Sequence, residues 1–509
     1  MTGPLAAAGL VLGVDVGTTS AKVGAFDPHG AELASAERAY PLREPRPGWV
    51  VQDPDEVVTA TLAAMAEAVR TVLEGGGRVA AVAFSAAMHS LVGVDAHGRP
   101  LTDLLTWADS RALEQAARLR AEHPDLHART GTPLHPMSPL AKLVWFREHE
   151  PALLARAARW AGIKELVLAR LTGAWAVDHS VASGTGLMNL QTLGWDGEAL
   201  ALAGVRPDQL SELVPTTARP GGLTEAAATE LGLPRGTPVV IGAADGPLAN
   251  LGVGAVRPGV AACSIGTSGA LRVVVERPAV DPARRLFCYA LTPGRWVVGG
   301  AINNGGVVLQ WAGEALAPDL GPHAEAELLD LAARVPPGSD GLLMLPSLLS
   351  ERAPDWSGLS RGAYVGLTRA HRREHLVRAA LEGVCLQLAL VLASVREAGA
   401  EVREIRATGG FARSGLWRQM LADALGCPIG FPRGHQGSGF GAALLAMEAL
   451  GLVDSIERSA DLVRIDDVVR PDAAAAATYA SALPVFAGLH DALGPAFRQL
   501  RTPGGPAPG

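Results

Sequence analysis

Short apolar runs closed by glycine and small polar residues alternate along this chain with longer stretches of helical period. Residues 10–27 read Leu-Val-Leu-Gly-Val-Asp-Val-Gly-Thr-Thr-Ser-Ala-Lys-Val-Gly-Ala-Phe-Asp and predict two strands joined by a Gly-Thr-Thr-Ser turn. The pattern returns at residues 261–275, where an apolar strand enters a Gly-Thr-Ser-Gly turn and a second strand leaves it. Two such hairpins about half a chain apart predict a duplicated architecture with a ligand between the halves. Between them, helical period covers 55–73, and Asp53-Pro54 marks its start. A strand at 79–85 ends in Ser-Ala-Ala-Met-His-Ser, and residues 104–111 lead into a helix at 112–122. Helices are predicted at 139–149 and 161–170, which by default leaves Lys142 and Lys164 solvated. An apolar run at 237–241 delivers Gly242-Ala243-Ala244-Asp245-Gly246-Pro247.

In the second half a strand spans 296–304 and a long helix 373–398, with Gly383 interrupting its apolar face. Residues 405–414 run from a strand through Gly409-Gly410 to a helix at 415–425, a ready place for a phosphate or nucleoside. Gly437-Ser438-Gly439-Phe440-Gly441 opens another helix. From about residue 463 the chain is Ala-rich and helical, and 501–509 is expected to be disordered. With 509 residues there is enough chain for two large cores. We divide it at 1–250, 251–463 and 464–509.

The charge balance, 44 basic against 51 acidic residues, gives −7 and argues against a nucleic-acid or anionic membrane surface. Anionic substrates therefore require cations and N–H groups gathered locally. Cys263, Cys288, Cys385 and Cys427 are far apart and read as reduced, small apolar residues of a cytoplasmic protein. The apolar stretch at 5–14 lacks a basic start and reads as a first strand rather than a signal peptide, and no uncharged run elsewhere is long enough to span a bilayer.

Asp15, Thr18 and Thr19 place a carboxylate, two hydroxyls and several turn N–H groups around one concavity, which can hold phosphate oxygens and orient a hydrated Mg²⁺. The same residues also suit a hairpin fixed by its own side-chain bonds. Asp245 stands between small residues and looks presented to a ligand, although a helix-capping Asp has the same setting. Met88 with His89, and Trp107 with Asp109 and Arg111, fall at carboxyl ends of strands, where an α/β fold places its ligands. Each of these also has a packing or helix-start reading.

Taken together, Asp15-Val16-Gly17-Thr18-Thr19 with Lys22, Gly266-Thr267-Ser268-Gly269, and Gly409-Gly410-Phe411-Ala412-Arg413-Ser414 resemble the ATPase core shared by actin, the Hsp70 chaperones and sugar kinases. Gly242-Ala243-Ala244-Asp245-Gly246, and Gly362-Ala363-Tyr364-Val365-Gly366-Leu367 followed by Ala379-Ala380-Leu381-Glu382, narrow the resemblance to the FGGY carbohydrate kinases. It covers nearly all of residues 11–450. The stretches around Met88-His89, Trp107-Ala108-Asp109-Ser110-Arg111 and Thr130-Gly131-Thr132-Pro133-Leu134-His135 are most similar to the gluconate-phosphorylating branch, with xylulokinases and other pentulose kinases as the alternative.

The resemblance implies an α/β fold of two ribonuclease H-like ATPase domains around an interdomain cleft. It implies Asp245 as general base, Asp15 as the Mg²⁺ residue acting through water, and ATP as co-substrate. Thr18, Thr19, Lys22, Gly266, Thr267, Ser268, Gly409, Gly410 and Ser414 would receive the ATP. Met88, His89, Trp107 and Asp109 would wall the polyol site, D-gluconate would become 6-phospho-D-gluconate, and the chain would pair as a homodimer. The substrate carboxylate requires a cation. His89, Arg111, His135, Lys142 and Lys164 are the candidates. A nucleotide-driven sugar sensor on the same core is the reading from a different class.

Overall fold

The computed structural model describes residues 9–321, 323–433 and 437–500. In the first lobe, strands β1 (Gly9–Val16), β2 (Ser20–Phe26) and β3 (Glu32–Ala39) form an antiparallel meander. Helix α1 (Pro54–Glu74) follows, its N-cap Asp53 accepting from the N–H groups of Asp55 and Glu56. Val57, Leu62, Met65, Val69 and Val72 recur on one face of α1 and bury it on the sheet. Strand β4 (Arg78–Ala86) lies parallel to β1. After helices α2 (Pro139–His149) and α3 (Ile163–Thr172), β5 (Val239–Ala244) lies parallel to β4, giving the order β5-β4-β1-β2-β3. Helix α4 (Asp245–Gly252) then leaves the sheet.

The second lobe repeats the plan. Strands β6 (Gly259–Ile265), β7 (Gly269–Val275), β8 (Phe287–Thr292) and β9 (Arg295–Ile302) are antiparallel in the order β8-β9-β7-β6. Helices α5 (Val307–Leu316) and α6 (Arg373–Glu397) come next. Strand β10 (Val402–Thr408) pairs parallel to β6, and beyond helix α7 (Gly415–Leu425) strand β11 (Ile429–Pro432) pairs parallel to β10. In both lobes a hairpin therefore opens the sheet, and its first strand is flanked by a parallel strand from later in the chain. Each hairpin turn accordingly sits at the carboxyl end of a central strand, facing the other across the cleft.

Helix α8 (Ser438–Ala449) crosses back to the first lobe and packs on β1 and α4. The approach is close: a Cβ on Gly13 would lie 1.9 Å from the carbonyl oxygen of Gly439. With Phe26 against Phe440 at 5.2 Å between ring centroids, one apolar core runs across the base of the cleft.

Sequence expectations change at Lys142, at Lys164 and just beyond residue 463. Lys142 and Lys164 are 0% and 1% exposed, not solvated, because each ammonium is met inside the fold. The segment after residue 463 begins not as helix but as strand β12 (Ile465–Val469), antiparallel to β11 at the edge of the second sheet. Helix α9 (Ala473–Gln499) follows it and joins α6 through Tyr479, whose hydroxyl donates to Glu382 Oε1 at 2.9 Å. Gly383 of α6 does allow a close backbone approach: a Cβ there would lie 2.3 Å from Met344 O. Helix α6 is long and apolar enough to cross a membrane by length and composition, but 83% of its apolar window is buried in this fold. The expected disorder of 501–509 lies outside the described residues.

Candidate active site

The two hairpin turns share one hydrogen-bond scheme. In the first, Gly17 N–H donates across the turn to Ser20 O at 3.0 Å. Its carbonyls are taken on the protein side: Gly17 O accepts from Tyr40 Oη (2.6 Å), Thr18 O from Gln52 Nε2 (2.7 Å) and Thr19 O from Tyr40 N (3.0 Å). In the second, Gly266 N donates to Ser268 O at 2.8 Å, while Gly266 O and Thr267 O accept from Gly306 N (2.7 Å) and Gly305 N (3.0 Å). With the carbonyls pinned inward, the N–H groups of Thr18, Thr19, Thr267 and Ser268 have no backbone acceptor among the described residues. Such concavities of N–H groups bind anions.

The second turn divides two cavities. On one side a volume of about 850 Å³ is lined by Gly266, Thr267, Gly306, Gln310, Gly410 and Phe411, among others. Gly409 makes this wall possible, with φ 117° and its α-carbon packed so that a Cβ would lie 2.1 Å from Ile265 O. Ser414 is N-cap of α7, its Oγ accepting from Trp417 N at 3.2 Å. Lys22 lies on the outer edge of β2, 3.5 Å from Glu37, and lines neither cavity.

On the other side a cavity of about 270 Å³ is lined by Thr18, Met88, His89, Trp107, Asp245 and Ser268, and also by Arg272, Tyr289, Arg352 and Trp356. Asp245 opens α4 at the end of β5. It does not act as the cap of that helix; Ala244 holds that position, Asp245 Oδ1 accepts the adjacent Gly246 N–H at 2.7 Å, and the backbone N–H of Met88 also donates to the carboxylate. Burial, and then the negative Asp15, push its pKa up to about 6, against the pull of Arg272. Asp15 accepts from Ser85 Oγ at 2.6 Å, and burial raises its pKa although the hydroxyls of Ser85 and Ser438 and the charge of Lys22 oppose the shift. Both carboxylates are thus buried, Asp15 with Lys22 and Asp245 with Arg272 as the opposing charge.

His89 sits in the left-handed region, φ 66°, and its Nδ1–H donates to Gly184 O at 2.7 Å. Burial, then the nearby Lys142, hold its pKa down to about 3. The ring is therefore neutral, leaving Nε2 as an acceptor. Trp107 Nε1 donates to Thr18 Oγ1 at 3.0 Å, tying the small cavity to the first turn. Lys142 stands behind this wall, its Nζ donating to His89 O (2.8 Å) and Thr106 O (2.6 Å), and burial lowers its pKa to about 7.

Asp109 is not in the wall. It is 1% exposed, and Arg111 closes on it with two bonds of 2.8 Å from Nε and Nη2. Arg111 in turn stacks over Trp49 at 3.8 Å, away from the cavity. Lys164 is ion-paired with Asp178 and donates to Ala243 O at 3.1 Å, bracing the strand that carries Asp245. His135 lies behind Trp356, ring centroids 5.7 Å apart. Of the five cations considered from sequence, only His89 lines the cavity, and it is uncharged.

The cations that do line it, Arg272 and Arg352, were missed. Arg272 was legible as a lone charge between Leu271 and Val273 in a buried strand, just past the second turn. Arg352 lies in an irregular segment with no periodic signal. Among the described residues no three His, Cys, Asp or Glu side chains gather as a metal centre.

Residues 10–252 match the FGGY family of carbohydrate kinases, N-terminal domain, and residues 261–450 match the C-terminal domain of that family. The chain is 40% identical over 500 residues to a gluconokinase of Bacillus subtilis, covering 96% of this chain and 97% of that one. It is 30% identical over 455 residues to a xylulose kinase of the same organism, 89% and 90% covered. Its fold matches a crystal structure of gluconate kinase from Lactobacillus acidophilus with TM-score 0.93 and 33% identity, over 97% of this chain and all of the other.

Proposed function

The chain belongs to the FGGY family of carbohydrate kinases, and we propose that its reaction is ATP-dependent phosphorylation of D-gluconate to 6-phospho-D-gluconate, with Asp245 as general base. The observation that carries the reading is Asp245, the carboxylate that lines the small polar cavity beside the two turns, buried and of raised pKa. The terminal hydroxyl of the sugar acid, on Asp245, gives up its proton as its oxygen attacks the γ-phosphorus. The bond from that phosphorus to the β,γ-bridging oxygen breaks, and ADP leaves. Proton transfer of this kind contributes roughly 10²–10⁴-fold, so alignment and charge neutralisation supply the rest.

ATP occupies the larger cavity in this reading. Gly409 and Gly410 receive the nucleoside and α-phosphate, with Ser414 shaping that end as helix cap, and the N–H groups of Thr18, Thr19, Thr267 and Ser268 together with Gly266 cradle the β- and γ-phosphates. Lys22 acts on this site at a distance, through the charge of Asp15. Met88, His89 and Trp107 contact the polyol, and Asp109 serves them from behind by fixing Arg111 and the strand end that carries Trp107. Asp15 suits Mg²⁺, being a buried carboxylate that no cation among the described residues meets in an ion pair. With no three-residue ligand cluster nearby, the ion would take its other ligands from water and phosphate; when bound, it neutralises charge on the transferring group. The four described cysteines are free and buried, which suits a cytoplasmic setting.

The test is a coupled ADP-release assay with Mg-ATP and D-gluconate, D-xylulose, L-ribulose, glycerol or no sugar. A large kcat/KM preference for gluconate is expected. Preference for a ketopentose would overturn the substrate and keep the fold, and sugar-independent turnover would favour the sensor.

A further inference from the structure

We propose that Arg352 is the residue that receives the carboxylate of the acid substrate and sets the preference for a sugar acid over a neutral polyol; this rests on the gluconate reading above. The small cavity is lined by one carboxylate, Asp245, and by two guanidinium groups, Arg272 and Arg352. His89, the remaining titratable cation-former in that lining, is held neutral. A neutral polyol leaves two desolvated cations facing one base, whereas an acid supplies the missing negative charge.

The two arginines differ in what they face. Arg272 belongs to the reacting end: a Cβ on Gly246 would lie 3.4 Å from its Nε, and Asp245 is its foremost charged neighbour. Arg352 also feels Asp245 and Arg272, but it acts on His89 and His135 as well and lies over the Trp107 ring at 5.0 Å. In a six-carbon acid whose terminal hydroxyl rests on Asp245, the carboxylate is at the other end of the carbon chain, and in this proposal it meets Arg352 beside His89 and Trp107.

Arg352 is also incompletely satisfied by the protein. Its Nη2 donates to Ile302 O at 3.1 Å, but its Nε is buried without a partner and its Nη1 makes no hydrogen bond among the described residues. The adjacent Glu351 is the foremost charge acting on it, but its carboxylate makes no ion pair with the guanidinium among the described residues. That carboxylate is spent on Asn303 N (2.7 Å), Asn304 Nδ2 (2.8 Å) and the backbone N–H of Arg352 itself (2.9 Å). These bonds, with Ala353 N donating to Ala301 O at 2.9 Å, fix the segment to the end of β9 and hold the guanidinium in place before substrate arrives. A bidentate carboxylate partner is what an arginine with spare donors accommodates, as Arg111 does for Asp109 in this same protein.

The experiment compares wild type, Arg352→Gln and Arg352→Lys by calorimetric binding of D-gluconate and of D-glucitol, the same carbon chain with a hydroxymethyl group in place of the carboxylate. Each is measured with a non-hydrolysable ATP analogue and followed by kcat and KM for both acceptors and for ATP. Arg352→Gln is expected to weaken gluconate roughly a hundredfold, through KM, while glucitol changes by about threefold or less. Arg352→Lys should recover part of the gluconate binding. Equal losses on both acceptors would overturn the proposal as a general structural effect, and a rise in ATP KM with unchanged gluconate binding would assign Arg352 to the phosphoryl group instead. A wild type that binds no gluconate overturns the functional reading and the proposal with it. A wild type that prefers gluconate, together with an Arg352→Gln variant that keeps that preference, overturns the proposal alone.

Discussion

The raised pKa of Asp245 makes the pH profile a direct test of its role. A general base acts in its ionised form, so kcat/KM for the sugar falls as pH drops through the pKa of the free enzyme. An Asp of ordinary pKa, 3.8, stays more than about 90% ionised at pH 5, whereas a group titrating near 6 is only about 10% ionised there. Between pH 7 and pH 5 the structure therefore predicts about a tenfold loss of kcat/KM where an ordinary Asp gives almost none. The shift corresponds to about 3 kcal/mol disfavouring the charged carboxylate, at roughly 1.4 kcal/mol per pH unit.

Two causes raise the pKa, burial and Asp15, and Arg272 opposes them. Arg272→Met removes the opposing cation, so the acid limb should move to higher pH. The measurement is kcat/KM for D-gluconate from pH 4.5 to 8, at saturating Mg-ATP so that nucleotide titration is not read as the enzyme's. Asp245→Asn serves as the control and should lose roughly 10²–10⁴-fold across the range. An acid limb near pH 4 in wild type, or one unmoved by Arg272→Met, would refute the reasoning. So would an Asp245→Asn variant of near wild-type rate.

Two further outcomes concern stability and the nucleotide. Lys164→Met leaves Asp178 fully buried without its cation and should cost about 3–5 kcal/mol, read by urea unfolding, with Lys164→Met/Asp178→Leu recovering much of it. Gly409→Ala puts a side chain at φ 117° against Ile265 O. It should cost at least about 1–3 kcal/mol of stability and raise the KM for ATP more than that for the sugar.

The sequence by itself determined the periodic parts of this protein. The two hairpins at 10–27 and 261–275 appear as β1-β2 and β6-β7, and the helices at 139–149 and 415–425 appear with the same bounds. Alternating apolar runs closed by Gly-Thr turns admit few other structures, and in both turns the glycine N–H closes the turn while the N–H groups of the next two residues stay free of backbone acceptors. The duplicated topology, the family and the two-lobe cleft followed from those local signals.

Tertiary structure decided the charges. Helical period told nothing of the two lysines, whose stems and ammonium groups are buried because carbonyls of other elements, or Asp178, converge on them from far along the chain. Asp109 and Arg111 lie close together in sequence, and only packing against Trp49 shows that they satisfy each other instead of a ligand. Arg272 and Arg352 line one cavity because β7 and the segment after residue 346 both border it, a juxtaposition of positions 80 residues apart that no local pattern encodes. Strand and turn propensities act over a few residues and are written locally. A cation's partner is set by which distant backbone and side-chain oxygens the folded chain brings within hydrogen-bond reach.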